Sequence, residues 1–518
     1  MVLVVGLLGF LSGVLMAWAK GVPLPVGHDE FAYLLAADTL ASGRLANPTP
    51  EFWPHFETFH VIQRPTYAAK FPPGQGLFLA LGKVLFGHPV VGVWLSMGLA
   101  AAAITWMLQA WLRPPWALAG GLLAVAQMGF LGGLTLPDPP VGSPGYWAWS
   151  YWGAAVPAAG GALLFGGWRR VLHRPNALPA TLMGLGLGLL AITRPFEGFL
   201  AGLPAGFVML VHLFRAPWPW RDKLWRIVFP TALSLGAWLG WLGYYNAAVT
   251  GSPWKLPYQV HEETYAMTPL FVFLHEQPPP PHRHAPLIAF HLQWAKKVFD
   301  FHGTWEGWKA NAVHKITSLT SFYIGLPLAL PWLAMPWGWR FRWVRFALFT
   351  VGFVLAGIFL LVWTLPHYFA PIMALMAYLN IQAVRMFRVV LGRPGRRIGT
   401  AYLHVLPVVY LTLVAMRLIL PEPEPANSWF RQRADIERQL LAKPGKHLVI
   451  VRYAADHSPG QEWVYNRADL ENAKILWARE LSEPENERLI EHHRDRTVWI
   501  VHADAMPPVL QPRTPMDP

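Results

Sequence analysis

Apolar runs long enough to cross a bilayer recur along the first 420 residues, and no other feature limits the fold as strongly. A helix needs about 20 mostly apolar residues to cover the hydrocarbon, and within lipid only helices and closed barrels satisfy their own backbone groups. Runs lie near Val2–Ala19, Pro89–Leu112, Trp116–Leu134, Tyr151–Arg169, Ala177–Thr193, Phe196–Phe214 and Ile227–Val249. Four more lie near Leu319–Pro336, Val344–Trp363, His367–Val384 and Tyr402–Leu420, which makes about eleven transmembrane helices. Composition agrees, since only 14% of residues are charged against roughly 25% in an ordinary soluble protein. Residues 1–420 carry 29 basic and 13 acidic side chains, whereas residues 421–518 carry 13 and 16 at three times the density. The expected fold is therefore an all-α polytopic membrane domain over 1–420 and a small soluble α/β domain over 421–518. Cysteine is absent, which excludes disulfides, thiolate metal sites and cysteine nucleophiles.

The short connectors alternate in charge. Those around Arg113, Arg169–Arg174, Arg215–Arg226, Arg340–Arg345 and Arg385–Arg397 are arginine-rich and share one acid, Asp222. By the positive-inside rule this side is cytoplasmic. The N-terminus is then inside, and the long segments 20–88 and 250–318, together with the C-terminal domain, are outside the cytoplasmic (inner) membrane. The pI near 9.9 follows from this bias, so no nucleic-acid partner is implied. Ala17-Trp18-Ala19 resembles a signal-peptidase site, but the run before it fills a bilayer, so a retained first span is expected. Ionisable side chains are nearly missing from the span centres, where ion-coupled transporters usually need them. The polar chemistry sits in the outer segments instead.

The first outer segment opens with Gly27-His28-Asp29-Glu30, then apolar residues at helical spacing as far as Gly43. Acids at a helix start cap free N–H groups and complement the dipole. Alternatively, one of these carboxylates is a general base at the lipid–water boundary. Further on, Arg64 and Lys70 flank a Pro/Gly-rich stretch that ends in Lys70-Phe71-Pro72-Pro73-Gly74. Such cations either anchor to headgroups or bind the phosphate of a lipid-linked substrate.

An acidic pair after the first span, an interfacial helix, a Lys-Pro-Pro element and a second interfacial helix ending Leu85-Phe86-Gly87 resemble the opening of GT-C glycosyltransferases. The branch resembled holds protein O-mannosyltransferases, the aminoarabinose transferase of lipid A and transferases of lipopolysaccharide cores. Two departures stand out: His28 where the family often has proline, and Phe71 inserted between the lysine and the proline pair. The resemblance implies a polyprenyl-phosphate sugar as donor and a lipid, glycan or protein acceptor at the outer face. It makes Asp29 the base and Glu30 its neighbour that orients substrate. Charge growing on the leaving phosphate calls for fixed cations, for which Lys70, Arg64 and Arg194 are candidates.

Arg194 and Glu197 lie where two spans meet outside and either pair with each other or bind substrate; His367 and Tyr368 start another span at the same level. Asp138 is expected to form a turn. In the second outer segment His282-Arg283-His284 near Glu262 and Glu263 invites a metal reading. No second pair at ligand spacing supports it, so solvated loop histidines are expected, no metal is assigned, and a divalent ion stays open. The C-terminal domain reads as a helix Trp429–Leu441, strands at His447–Tyr453, Ala473–Ala478 and Thr497–His502, and a helix Pro484–His493. The Pro/Glu linker before it suggests few contacts with the membrane part, and Asp456, His457, Glu462 and Asp469 read as solvated. The expected function is an integral membrane hexosyl- or pentosyltransferase. The rival expectations are a lipid-linked-sugar flippase and a non-catalytic membrane assembly protein.

Overall fold

The computed structural model describes residues 1–132, 145–391, 397–421 and 428–513. Seven helices among them are long and apolar enough to cross a membrane: Val2–Lys20 (α1), Val90–Trp111, Pro114–Leu131, Pro195–Arg215, Trp220–Thr250, Pro366–Leu391 and Ile398–Ile419. Each coincides with an expected span. The other four expected spans fall on shorter elements. Ala155–Val171 and Arg342–Ile358 have 17 residues each and Ala177–Ala191 has 15. The run Leu319–Pro336 is not one helix: Trp305–Tyr323 ends before Gly325, whose φ of 70° lies in the left-handed region, and a short helix Leu326–Trp332 follows. Hydropathy cannot see such a break, because glycine and proline leave the mean apolar character intact.

Small residues set how closely the helices approach, as expected where lipid removes the hydrophobic drive for association. Ala155–Val171 is buried on almost every side. A Cβ on its Gly161 would stand 1.8 Å from the carbonyl oxygen of Pro371, so this glycine lets the 155–171 and 366–391 elements touch at backbone distance.

Outside the spans, helix α2 (His28–Ala41) packs against Gly74–Phe86. Between them a two-residue antiparallel hairpin pairs β1 (Val61–Ile62) with β2 (Ala68–Ala69). The C-terminal part is a four-stranded sheet ordered β4-β3-β5-β6, with β3 (Lys446–Arg452) central and parallel to β4 (Ile475–Arg479) and β5 (Arg496–His502). The edge strand β6 (Val509–Pro512), antiparallel to β5, was not expected from the sequence. Its two apolar residues, Val509 and Leu510, lie between Pro508 and Pro512, a run too short to read as a strand. Helices Trp429–Ala442 and Glu483–His492 complete the domain.

The expectation of few contacts across the linker fails. Leu35, Phe56, Val61 and Tyr67 of the first outer segment share one apolar cluster with Leu448, Ala468, Leu470, Leu476 and Leu489 of the C-terminal part. Linker composition reports on the linker alone. Docking depends on apolar faces several hundred residues apart.

Candidate functional site

Two adjacent carboxylates at the start of α2 meet opposite surroundings. Glu30 is 1% exposed and accepts N–H bonds from Val26 (2.8 Å), Gly27 (3.1 Å) and Tyr151 (2.8 Å). Burial raises its pKa despite those bonds. Both oxygens are committed to backbone, so the geometry makes Glu30 a cap that ties α2 to the 151 segment and leaves it nothing with which to orient a substrate. Asp29, one residue earlier, keeps a side chain 20% exposed, with Oδ1 3.0 Å from Nε2 of His60. A carboxylate can only accept here, so Nε2 donates. Burial opposes the charge on Asp29, but His60, Lys70 and His367 outweigh it and hold the carboxyl at about 2. Asp29 is ionised throughout the neutral range.

The hairpin positions its partners. Val61 pairs with Ala69, which brings His60 and Lys70 opposite each other, and the Lys70 N–H donates to the His60 carbonyl at 3.0 Å. His60 has φ 61°, the one positive φ outside glycine among the described residues, a strain that surrounding structure must impose. Lys70 is 6% exposed; its Nζ lies 3.6 Å from Glu262 and 4.8 Å from the ring centre of Tyr258. Phe71, the insertion relative to the family pattern, stacks on Tyr33 at 4.7 Å. The insertion therefore leaves Lys70 facing Glu262 and turns the extra ring onto α2.

Beside this group opens a mainly apolar cavity of about 520 Å³, lined by Tyr33, Phe71, Arg194, Glu197, Tyr258, Glu262 and Tyr368 among others. Arg194 lies 3.7 Å from Glu197 and 4.4 Å from the Tyr368 ring centre. Burial works against its charge, yet Tyr33, Glu197 and Tyr368 together raise its pKa. The cavity thus combines apolar walls with a fixed cation and a few polar groups, the usual composition of a small-molecule site.

The structure brings together Asp29, Lys70, Arg194, Glu197 and Tyr368 from segments scattered over the chain. His367 is fully buried behind them, its Nδ1 3.3 Å from the Tyr146 hydroxyl. Arg64 is elsewhere: it is exposed, 4.6 Å over the Trp53 ring, because it sits in the turn between β1 and β2, at the opposite end of the hairpin from His60 and Lys70. Asp138 lies outside the described residues. Three histidines of the second outer segment are not solvated, His261, His284 and His291 being 0%, 4% and 5% exposed, whereas His314 is exposed. His261 packs 5.8 Å from His60 and 5.7 Å from His291, ring centre to ring centre, and burial holds His60, His261 and His291 neutral by lowering their pKa values. No three ligand atoms within 4.8 Å of one another include Asp29 or Glu262 among the described residues.

Sequence reading missed His60, Tyr33 and the contribution of the C-terminal domain. Tyr258-x-x-His261-Glu262 at helical spacing was a visible signal for the second outer segment, whereas His60 carried none. Tyr465 of the C-terminal domain bonds His28 Nδ1 through its hydroxyl at 2.7 Å and stacks on Phe31 at 4.1 Å. Glu462, read as solvated, is fully buried and paired with Arg479; Arg479 also donates to the Glu57 carbonyl of the first outer segment at 3.3 Å. An Arg–Glu pair inside the domain satisfies a charge that the loop position alone would leave to water.

No protein family matches the sequence, and no curated protein matches it. Among solved structures, the Archaeoglobus fulgidus oligosaccharyltransferase in complex with Zn and sulfate is similar over 96% of this chain and 67% of its own, at 12% identity and a TM-score of 0.49. ArnT from Cupriavidus metallidurans bound to undecaprenyl phosphate is similar over 96% of this chain and 92% of its own, at 14% identity and a TM-score of 0.48. The archaeal enzyme tethered to an acceptor peptide containing the NVT sequon is similar over 97% and 69%, at 11% identity and a TM-score of 0.41.

Proposed function

We propose that this multi-pass membrane protein is a glycosyltransferase that moves a sugar from a polyprenyl-phosphate donor to an acceptor at the outer face of the cytoplasmic membrane. The observation that carries the reading is the ionised Asp29, held by His60, beside an apolar cavity lined by Arg194. A lipid tail suits the apolar wall, and its phosphate suits Arg194 and Lys70. As the bond from the anomeric carbon to the phosphate oxygen breaks, the electron pair stays on the phosphate, and fixed cations stabilise that growing charge without reorganising. The acceptor oxygen or nitrogen forms the new bond to the anomeric carbon and gives its proton to Asp29. With a pKa of about 2, Asp29 is a weak base, so the proton moves late, once bonding to carbon has made the nucleophile acidic. Its contribution is a negative charge placed where the nucleophile becomes positive, and a general base of this kind is worth roughly 10²- to 10⁴-fold.

The arginine-rich connectors support a cytoplasmic N-terminus and a C-terminal domain outside. A flippase would need polar groups along the spans, whereas these gather at one end of them. Purified protein incubated with a polyprenyl-phosphate sugar labelled in the sugar should release or transfer label. Passage of labelled lipid across vesicles with no turnover would replace this reading with transport.

A further inference from the structure

Away from the cavity, the C-terminal domain gathers a different set of donors. Glu471, from the turn before β4, and the adjacent His492 and His493, at the end of the Glu483–His492 helix, each offer a ligand atom, all within 4.8 Å of one another. No other group of three among the described residues does so. A tetrahedral zinc shell with Zn–N near 2.05 Å places donors about 3.3 Å apart, a gap that the exposed side chains of Glu471 and His492 can close by rotation. The two imidazole rings are perpendicular, with centres 4.8 Å apart, so their nitrogens can converge without the rings colliding.

Several features around the trio favour a cation. The last carbonyls of the helix carry partial negative charge at the position of His492 and His493. His493 is 4% exposed, so packing fixes its ring beside Glu471. Arg496 stands close by but spends its guanidinium on the carbonyls of Leu470, Glu471 and Ala473, which fixes the Glu471 turn beside the helix. Lys446 is paired with Asp495 at 3.2 Å.

A further carboxylate approaches from another part of the chain. The Glu51 carboxylate of the first outer segment lies 3.9 Å from His492 Nδ1, and its neighbour Phe52 packs 5.0 Å from the His492 ring. We infer that Glu471, His492 and His493, completed by Glu51, form a site for a zinc-class divalent metal that fastens the C-terminal domain to the first outer segment. Two imidazoles and two carboxylates suit zinc and its borderline neighbours better than magnesium or calcium, which prefer all-oxygen shells. The site would act on docking, with no part in bond making.

The test uses full-length protein in detergent, stripped with a chelator and titrated with Zn²⁺ by calorimetry, and with Co²⁺ to read geometry from its absorption. One equivalent of saturable zinc, a tetrahedral cobalt spectrum and a rise in melting temperature are expected. His492→Ala should weaken binding by at least about tenfold, the scale that even outer-shell changes reach. Glu471→Gln, an exposed and conservative change, should weaken it too without unfolding the domain. Glu51→Gln should keep part of the binding and lose most of the thermal gain. No saturable binding, or binding unchanged in His492→Ala and Glu471→Gln but lost in His282→Ala, would overturn the assignment.

Discussion

Asp29 and Glu30 show how far one residue of displacement separates two roles. The Asp-Glu pair was visible in the sequence as a candidate, but which acid caps and which faces the site depends on the Tyr151 N–H, 121 residues away. Glu30→Gln removes a charge that accepts three backbone N–H bonds, so it is expected to cost about 1–3 kcal/mol of stability, while activity per folded molecule stays within a few-fold. Chemical denaturation alongside a turnover assay checks both. The buried histidines give a second expectation. His28 is held at about 3 by burial and by His60, and the His60, His261 and His291 values are lowered in the same direction. An unfolded imidazole binds its proton near 6.5, so below that pH the unfolded chain takes up protons that the folded chain refuses, and stability falls. Asp29 acts in a lower window: its contribution is complete above its unfolded pKa of about 3.9 and is lost only as pH drops toward about 2. Melting temperature should therefore decline between pH 7 and pH 5, and His261→Phe should flatten the decline. A melting temperature independent of pH over that interval would show that these imidazoles are not buried as described.

At the scale of elements, legibility followed the length of the signal. Spans with an unbroken apolar run, such as Val90–Trp111 and Ile398–Ile419, were found within a few residues, because hydropathy is the property the bilayer selects. The stretch Leu319–Pro336 misled for the same reason, since its break is conformational. The hairpin of two-residue strands that sets His60 against Lys70 is far below the length at which alternation can be read. Strands β3, β4 and β5 of the C-terminal sheet were legible from their apolar runs, and the edge strand β6 was not. Close helix contact was also hidden, because a glycine-rich run reads as apolar whether or not it touches a neighbour. Gly161→Ala tests that contact directly. A Cβ 1.8 Å from the Pro371 carbonyl cannot be accommodated without moving backbone, so a loss of about 1–3 kcal/mol is expected. The readout is the yield of monodisperse protein in size-exclusion chromatography, with Gly206→Ala, where nothing lies within 4 Å, as the control.

The whole molecule behaves as a membrane body with its soluble domain seated on the first outer segment. Removing residues 428–513 would bare Leu35, Phe56, Val61 and Tyr67, so the truncated protein is expected to aggregate or to be cut by protease within residues 45–70, where the full chain resists. An intact, monodisperse truncation would mean that the shared apolar cluster contributes little. Orientation is checked by alkaline phosphatase fusions: activity after Leu420 and none after Arg226 places the site outside, and the reverse pattern removes an outer-face mechanism. The central claim, that the Asp29 carboxylate takes part in sugar transfer, is tested most directly by one comparison. Asp29→Asn keeps the shape and the capping ability of the residue but neither the charge nor the capacity to accept a proton. Turnover of a labelled polyprenyl-phosphate sugar by Asp29→Asn, set against the unaltered protein at equal melting temperature, should fall by about 10²- to 10⁴-fold. Retention of more than about a tenth of the activity, well above that general-base range, would contradict it.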